Sequence, residues 1–205
     1  MTGEIIDFNL DSAIIRMISE VKVELLHCCQ DVDIYLLKNN KKYLLGVDTL
    51  REHLFILKMT LKKALQNQFP LHPSITQDIG ILWNQCLQYK AGLTYKKLEK
   101  RNIWVGLTHL LWNANHLATW LYNDASGNII LHITPTYEDH WTGEVDEEET
   151  NDRAYQEWMA TKYTPLWTTQ LSPETAKTWL AQAEDVFSRL QYTEGYKEKQ
   201  NEGNN

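Results

Sequence analysis

The chain has 205 residues, of which 43% are hydrophobic and 23% charged, with a formal net charge of −7. This length and balance fit one sizeable globular core. The acidic excess argues against a polyanionic partner such as nucleic acid, and only 9 glycines argue against a dinucleotide-binding fold with its Gly-rich phosphate turn.

The N-terminus reads MTGEIIDFNLD. It has neither the basic n-region nor the apolar h-region of a secretory signal. No stretch approaches the ~20 apolar residues of a membrane helix, so no membrane partner is expected. Cys28, Cys29 and Cys86 are an odd set with one adjacent pair, which does not make a disulfide framework. A cytoplasmic location is therefore expected.

Taken in chain order, residues 4–10 read as a first strand. Residues 14–18 suit strand or helix, and residues 20–27 alternate as a half-buried strand. Residues 33–37 and 42–45 are two further strands. Between them Asn39-Asn40 suits the left-handed geometry of a two-residue hairpin turn. The N-terminal third is thus a β-meander.

Leu50, Leu54, Leu57, Leu61 and Leu65 recur at spacings of three and four, which predicts a helix over 49–68 with Asp48 as N-cap. A second helix is expected over 74–88, although Gly80 interrupts it. Residues 95–101 are basic, residues 103–105 suit a short strand, and 107–112 fit no single pattern.

Residues 118–122 and 129–134 are β-branched and aromatic runs around Asn123-Asp124-Ala125-Ser126-Gly127-Asn128. They predict a hairpin with a turn at Gly127. Ile129, Leu131 and Ile133 should face the core, leaving Ile130, His132 and Thr134 on the other face. Residues 152–162 read as a helix with Tyr155, Trp158 and Met159 on one side. Ser172-Pro173-Glu174 opens a last helix with Trp179, Leu180, Ala183, Phe187 and Leu190 as its apolar face. The expected class is α+β: an antiparallel sheet, made of the N-terminal meander plus the central hairpin, packed against several helices. One globular domain is expected over 1–192 and a disordered C-terminal tail over 193–205.

Charge is distributed very unevenly. Residues 138–152 hold 8 acids and no Lys or Arg, so this segment carries −8 while the remainder of the chain sums to +1. Residues 38–101 hold 12 basic residues against 4 acidic ones. Such segregation bears on partners and solubility rather than on fold.

No G-x-S-x-G, Gly-rich phosphate loop, H-E-x-x-H or C-x-x-C is present, so no catalytic residue or cofactor is assigned. His132, Asp139 and His140 are the residue types of a metal-dependent hydrolase, and this is the enzymatic alternative. Its bland counterpart is that His132 and His140 are solvated or hydrogen-bonded surface groups. Cys28 and Cys29 close an apolar stretch, where Cys behaves as a small hydrophobe. The acidic segment supports a third reading, a surface for a basic protein partner, with charge giving fast association and aromatics giving anchorage. Its residues are Tyr137, Glu138, Asp139, Trp141, Glu144, Asp146, Glu147, Glu148, Glu149 and Asp152. A solubilising role for the segment is the competing explanation.

Two blocks, LHPSITQDIGILWNQCL from Leu71 and ATWLYNDASGNIILHITPTY from Ala118, resemble segments of bacterial immunity proteins from polymorphic-toxin and contact-dependent inhibition systems. They cover under a fifth of the chain and exclude the acidic segment. The resemblance implies a cytoplasmic, non-enzymatic protein that binds and blocks one cognate toxin domain. An interaction module with an endogenous partner is the alternative outside that family.

Overall fold

Apolar alternation builds a first antiparallel sheet from β1 (Gly3–Leu10), β2 (Ala13–Ser19), β3 (Asp31–Lys38) and β4 (Lys41–Thr49), paired in sequence order. The computed structural model describes residues 3–19, 26–73, 75–88, 107–114, 116–137 and 148–191, except for the side chains of 4, 86–88, 107 and 148–153. In β2 every second residue (Ala13, Ile15, Met17 and Ser19) is buried, and Val32, Ile34 and Leu36 of β3 continue that face. Asp7 and Arg16 are direct cross-strand partners, and their side chains form a two-pronged ion pair with both contacts at 2.7 Å. The β3–β4 turn has Asn39 at φ 51° and Asn40 at φ 59°. Lys38 pairs with Lys41, so this is the two-residue hairpin expected from its sequence.

Helix α1 (Leu50–Leu65) buries Leu50, His53, Leu54, Leu57, Thr60, Leu61 and Ala64. Thr49, not Asp48, caps it: Thr49 Oγ1 accepts from the Glu52 amide. The Asp48 carboxylate instead takes the amide of Thr49.

Helix α1 packs on the last helix, with Lys62 Nζ 2.7 Å from Glu184 and the Lys58 ammonium 3.7 Å over the Phe187 ring. That last helix lies over 173–188 and joins the sheet through Trp179. Its ring centroid is 5.2 Å from that of Phe8, and its Nε1 donates to the Asn9 carbonyl at 3.1 Å.

Strands β5 (Leu110–Ala114), β6 (Leu117–Asn123), β7 (Ile129–Pro135) and β8 (Trp167–Leu171) form a second antiparallel four-stranded sheet, again in sequence order. Helix α2 (Ile79–Gln88) precedes it, α3 (Glu148–Thr161) lies between β7 and β8, and the last helix is α4 (Pro173–Ser188).

The α+β class is as expected, but the meander and the hairpin belong to separate sheets. The chain divides into two compact units, Met1–Leu65 with Pro173–Asn205, and Gln66–Ser172. In sequence, the second unit is inserted between α1 and α4. Helix α2 starts at Ile79 rather than at residue 74. Strand β8 was not anticipated: its five residues, WTTQL, lie beside Pro165 and just before the cap of α4. Residues 20–25, 95–101, 103–105 and 193–205 lie outside the described part. Among the described residues no helix is long and apolar enough to cross a membrane.

His53 gives the first unit a titratable core. It is 4% exposed, and its Nε2 has no hydrogen-bond partner among the described residues. Burial pulls the imidazole down from 6.5 to about 4, against the opposing pull of Asp48 and the Val32 backbone. The unfolded chain therefore binds more protons than the folded one between these values. Stability is full above pH 6.5 and falls as pH drops toward 4, by about 3 kcal/mol. Urea unfolding of wild type and His53→Leu at pH 7.5 and 4.5 should show the variant losing less stability on acidification; parallel losses would contradict this.

Candidate functional site

The β6–β7 hairpin organises the second unit. Its turn is closed by Asp124, whose Oδ1 accepts from the amides of Ser126 at 2.9 Å and Asn128 at 2.8 Å. Gly127 sits at φ +84°, a conformation that costs a Cβ-bearing residue energy. Trp120 pairs with His132, and Ala118 with Thr134, so these four side chains share one face with Tyr122 and Ile130. That face is covered. Ile79 and Trp83 of α2 pack on Ala118 and Trp120, and the two indoles meet edge to face at 5.3 Å. Trp120 Nε1 donates to Thr134 Oγ1 at 3.0 Å. The second face is therefore buried as well: His132 is 4% exposed and Thr134 fully buried, so His132 is a hydrogen-bonded group of the interior rather than of the surface.

A polar knot lies at the start of α2. Asp78 Oδ1 accepts from the amides of Gly80 at 2.8 Å and Ile81 at 3.2 Å, which makes Asp78 the N-cap of the helix. The same oxygen takes the Tyr163 hydroxyl, and Oδ2 takes His132 Nε2 at 2.9 Å. His132 Nδ1 lies 2.6 Å from Thr168 Oγ1. Burial works to raise the Asp78 carboxyl, but the hydrogen bonds from His132 and Tyr163 outweigh it and bring it down to about 2. Burial, and then bonding to Asp78, push the Tyr163 phenol up.

An ionised carboxylate only accepts, so Nε2 of His132 is the donor to Asp78, and Nδ1 faces the Thr168 hydroxyl. Hydroxyl, imidazole and carboxylate then stand in the order of a nucleophile relay. Register is sufficient to explain the contact, because His132 and Thr168 are direct cross-strand partners.

Helix and sheet meet closely at Gly80. A Cβ there would lie 2.4 Å from both Thr134 Oγ1 and the Tyr163 hydroxyl. One turn on, Asn84 Nδ2 donates to the carbonyls of Gly80 at 2.8 Å and Pro135 at 3.0 Å, and its Oδ1 accepts the Tyr137 amide at 2.9 Å. Tyr137 thus leaves β7 on a fixed path. Its ring meets Tyr155 at 5.5 Å and Trp158 at 5.3 Å, and Trp158 meets Tyr163 at 5.8 Å.

The residues flanking the acidic segment are thereby brought together. Tyr137, one of the two aromatics of the expected contact set, is 7% exposed and packs inward among these rings. Glu138, Asp139, Trp141, Glu144, Asp146 and Glu147 lie outside the described residues. Glu148, Glu149 and Asp152 belong to α3, with side chains outside the described part. Of the metal-hydrolase set, His132 has both ring nitrogens engaged by Asp78 and Thr168, while Asp139 and His140 lie outside the described residues. Asp78, Tyr163 and Thr168 were not singled out from sequence. Asp78 is legible in retrospect as an Asx N-cap before an apolar periodic run.

Comparison with family models, with curated proteins and with solved structures finds no match.

Two substitutions test this geometry. Gly80→Ala in an exposed helix would stabilise by about 1 kcal/mol; here the added methyl meets Thr134 and Tyr163, and a loss of about 2 kcal/mol is expected in urea unfolding. A gain would refute the close approach. Asp78→Asn removes a carboxylate whose folded value lies below its ordinary 3.8. Its stabilisation is present above pH 3.8 and lost as pH falls toward 2, so the variant should be weaker by about 2 kcal/mol at pH 7. Its deficit should shrink on acidification; a pH-independent deficit would argue against the charged form as the anchor.

Proposed function

We propose that this chain is an interaction protein that binds a basic protein domain through its acidic segment, in the manner of an immunity protein blocking a cognate toxin. The observation that carries this reading is the charge of −8 on residues 138–152 in a chain that is otherwise nearly neutral. Its setting supports it. Tyr137, which precedes the segment, touches Tyr155 and Trp158, which follow it, so the residues on either side of the segment are held together. A tethered acidic segment loses less freedom on binding than a free tail does, and its concentrated charge steers a cationic partner into contact. A nuclease domain is one such partner, since its own groove must be positive to hold nucleic acid. The resemblance of the blocks from Leu71 and Ala118 to immunity proteins points the same way.

The expected contact residues are Glu138, Asp139, Glu144, Asp146, Glu147, Glu148, Glu149 and Asp152, with Trp141 as the aromatic anchor. Tyr137 contributes by fixing the path into the segment.

The test is capture of partners from the native cells on immobilised wild type and on a Glu147→Lys, Glu148→Lys, Glu149→Lys triple variant. Wild type should retain a protein with a basic domain, and retention should weaken steeply with salt. The triple variant should bind that same protein at least about tenfold less tightly. Equal affinity for both would remove the segment as the contact, and a captured toxin whose activity survives saturation with wild type would refute the blocking role.

A further inference from the structure

One cluster of ligand-type side chains lies in the other unit, far in sequence from the acidic segment. After residue 26 the chain makes a tight turn through His27, Cys28 and Cys29. The two sulfurs are 3.4 Å apart, and a ring nitrogen of His27 and both Sγ atoms all lie within 4.8 Å of one another. Cys28 is 1% exposed, His27 is half-buried and Cys29 is open to solvent. The group is thus open to solvent at Cys29 and backed by the core at Cys28.

The turn is held from several directions. The Cys28 amide donates to the Gln191 carbonyl at 3.0 Å, and the Gln191 amide returns to the Leu26 carbonyl at 2.8 Å. The Cys28 carbonyl accepts the Arg51 amide at 3.3 Å at the start of α1, and the Gln30 amide closes on the His27 carbonyl at 3.1 Å. These bonds fix the backbone that carries the three donors, so little order has to be gained on binding.

We propose that His27, Cys28 and Cys29 form a two-sulfur, one-nitrogen site for a thiophilic d10 cation, Zn2+ or Cu+. Soft thiolates with an imidazole select these ions over Mg2+ or Ca2+. The spacing is close to what the chemistry needs. Tetrahedral zinc with Zn–S near 2.3 Å sets its sulfurs ~3.8 Å apart, so the pair has to open by only ~0.4 Å. A disulfide is the poorer outcome for these thiols. Neighbouring Cα atoms stand ~3.8 Å apart across a trans peptide, below the ~4.4 Å at which ordinary disulfides begin. Binding displaces one proton from each thiol to solvent, and no electrons are transferred. Zn2+ would keep a fourth position for solvent, whereas Cu+ is satisfied by three donors.

The test uses the full chain, reduced and desalted without oxygen. Zn2+ is titrated in competition with a colorimetric chelator and, in a separate arm, Cu+ in competition with a cuprous chelator. About one equivalent of at least one ion should bind. Cys29→Ser, a change at an exposed position, should weaken binding by about tenfold or more, and His27→Gln should weaken it measurably. Cys86→Ser should leave it unchanged. As a readout on the unaltered protein, the bound ion should protect the exposed Cys29, and not Cys86, from iodoacetamide. Less than about a tenth of an equivalent in both arms, full affinity in Cys29→Ser, or unchanged alkylation of Cys29 would each overturn the site. The preferred ion separates a solvent-completed zinc site from a three-coordinate copper site.

Discussion

The carboxylate of Asp78 is the constraint on which the second unit depends. Four donors converge on it: the amides of Gly80 and Ile81, the Tyr163 hydroxyl and His132 Nε2. They come from the first turn of α2, from β7 and from the chain just after α3. One charge therefore joins three parts of the chain that are distant in sequence. The arrangement is favourable because the negative group sits at the positive end of a helix and its desolvation is met by bonds to the ionised form. It also demands Gly80, because the helix that Asp78 caps must start almost in contact with Thr134 and Tyr163.

That anchorage bears on the proposed function through what it fixes. Asn84, on the same helix, holds both the Pro135 carbonyl and the Tyr137 amide, and Asp78 holds Tyr163. The aromatic contacts among Tyr137, Tyr155, Trp158 and Tyr163 join the residues that precede the most acidic part of the chain to those that follow it. Tyr137 and Tyr155 are turned inward, and under the proposed function the charge becomes the main recognition element. On this account affinity for a basic domain comes from electrostatic attraction to a mounted segment, with Trp141 and the carboxylates supplying the contacts.

Much of the fold could be read directly. The Asn39-Asn40 turn, the Gly127 turn and the leucine stripe of α1 are each set by local chemistry, and each lies where its residues indicate. Other features depend on tertiary context. The pattern of β7 has Ile129, Leu131 and Ile133 as one apolar face, and nothing local shows that α2 covers His132 and Thr134 on the other. WTTQL lacks a distinctive signal and becomes a strand because it pairs with β7. Gly80 reads as a weakness in a helix until the neighbouring Thr134 makes it a necessity. The separation into two sheets is likewise hidden, because local alternation specifies strands and not which strands share a sheet. For the site, the acidic charge was plain in the sequence, whereas the Asp78 knot unites residues 78, 132, 163 and 168 and has no local signature beyond its N-cap.

The most direct test of this account is amide hydrogen exchange of the full chain with and without Asp78→Asn. The amides to follow are Tyr137, bonded to Asn84, and Lys162 and Tyr163, bonded to the Trp158 carbonyl. If one carboxylate holds both flanks of the acidic segment, exchange should accelerate at both together, by about tenfold or more, while β2 and β3 keep wild-type protection. Unchanged protection at Lys162 and Tyr163 would contradict the account, because the acidic segment would then be mounted by something other than Asp78.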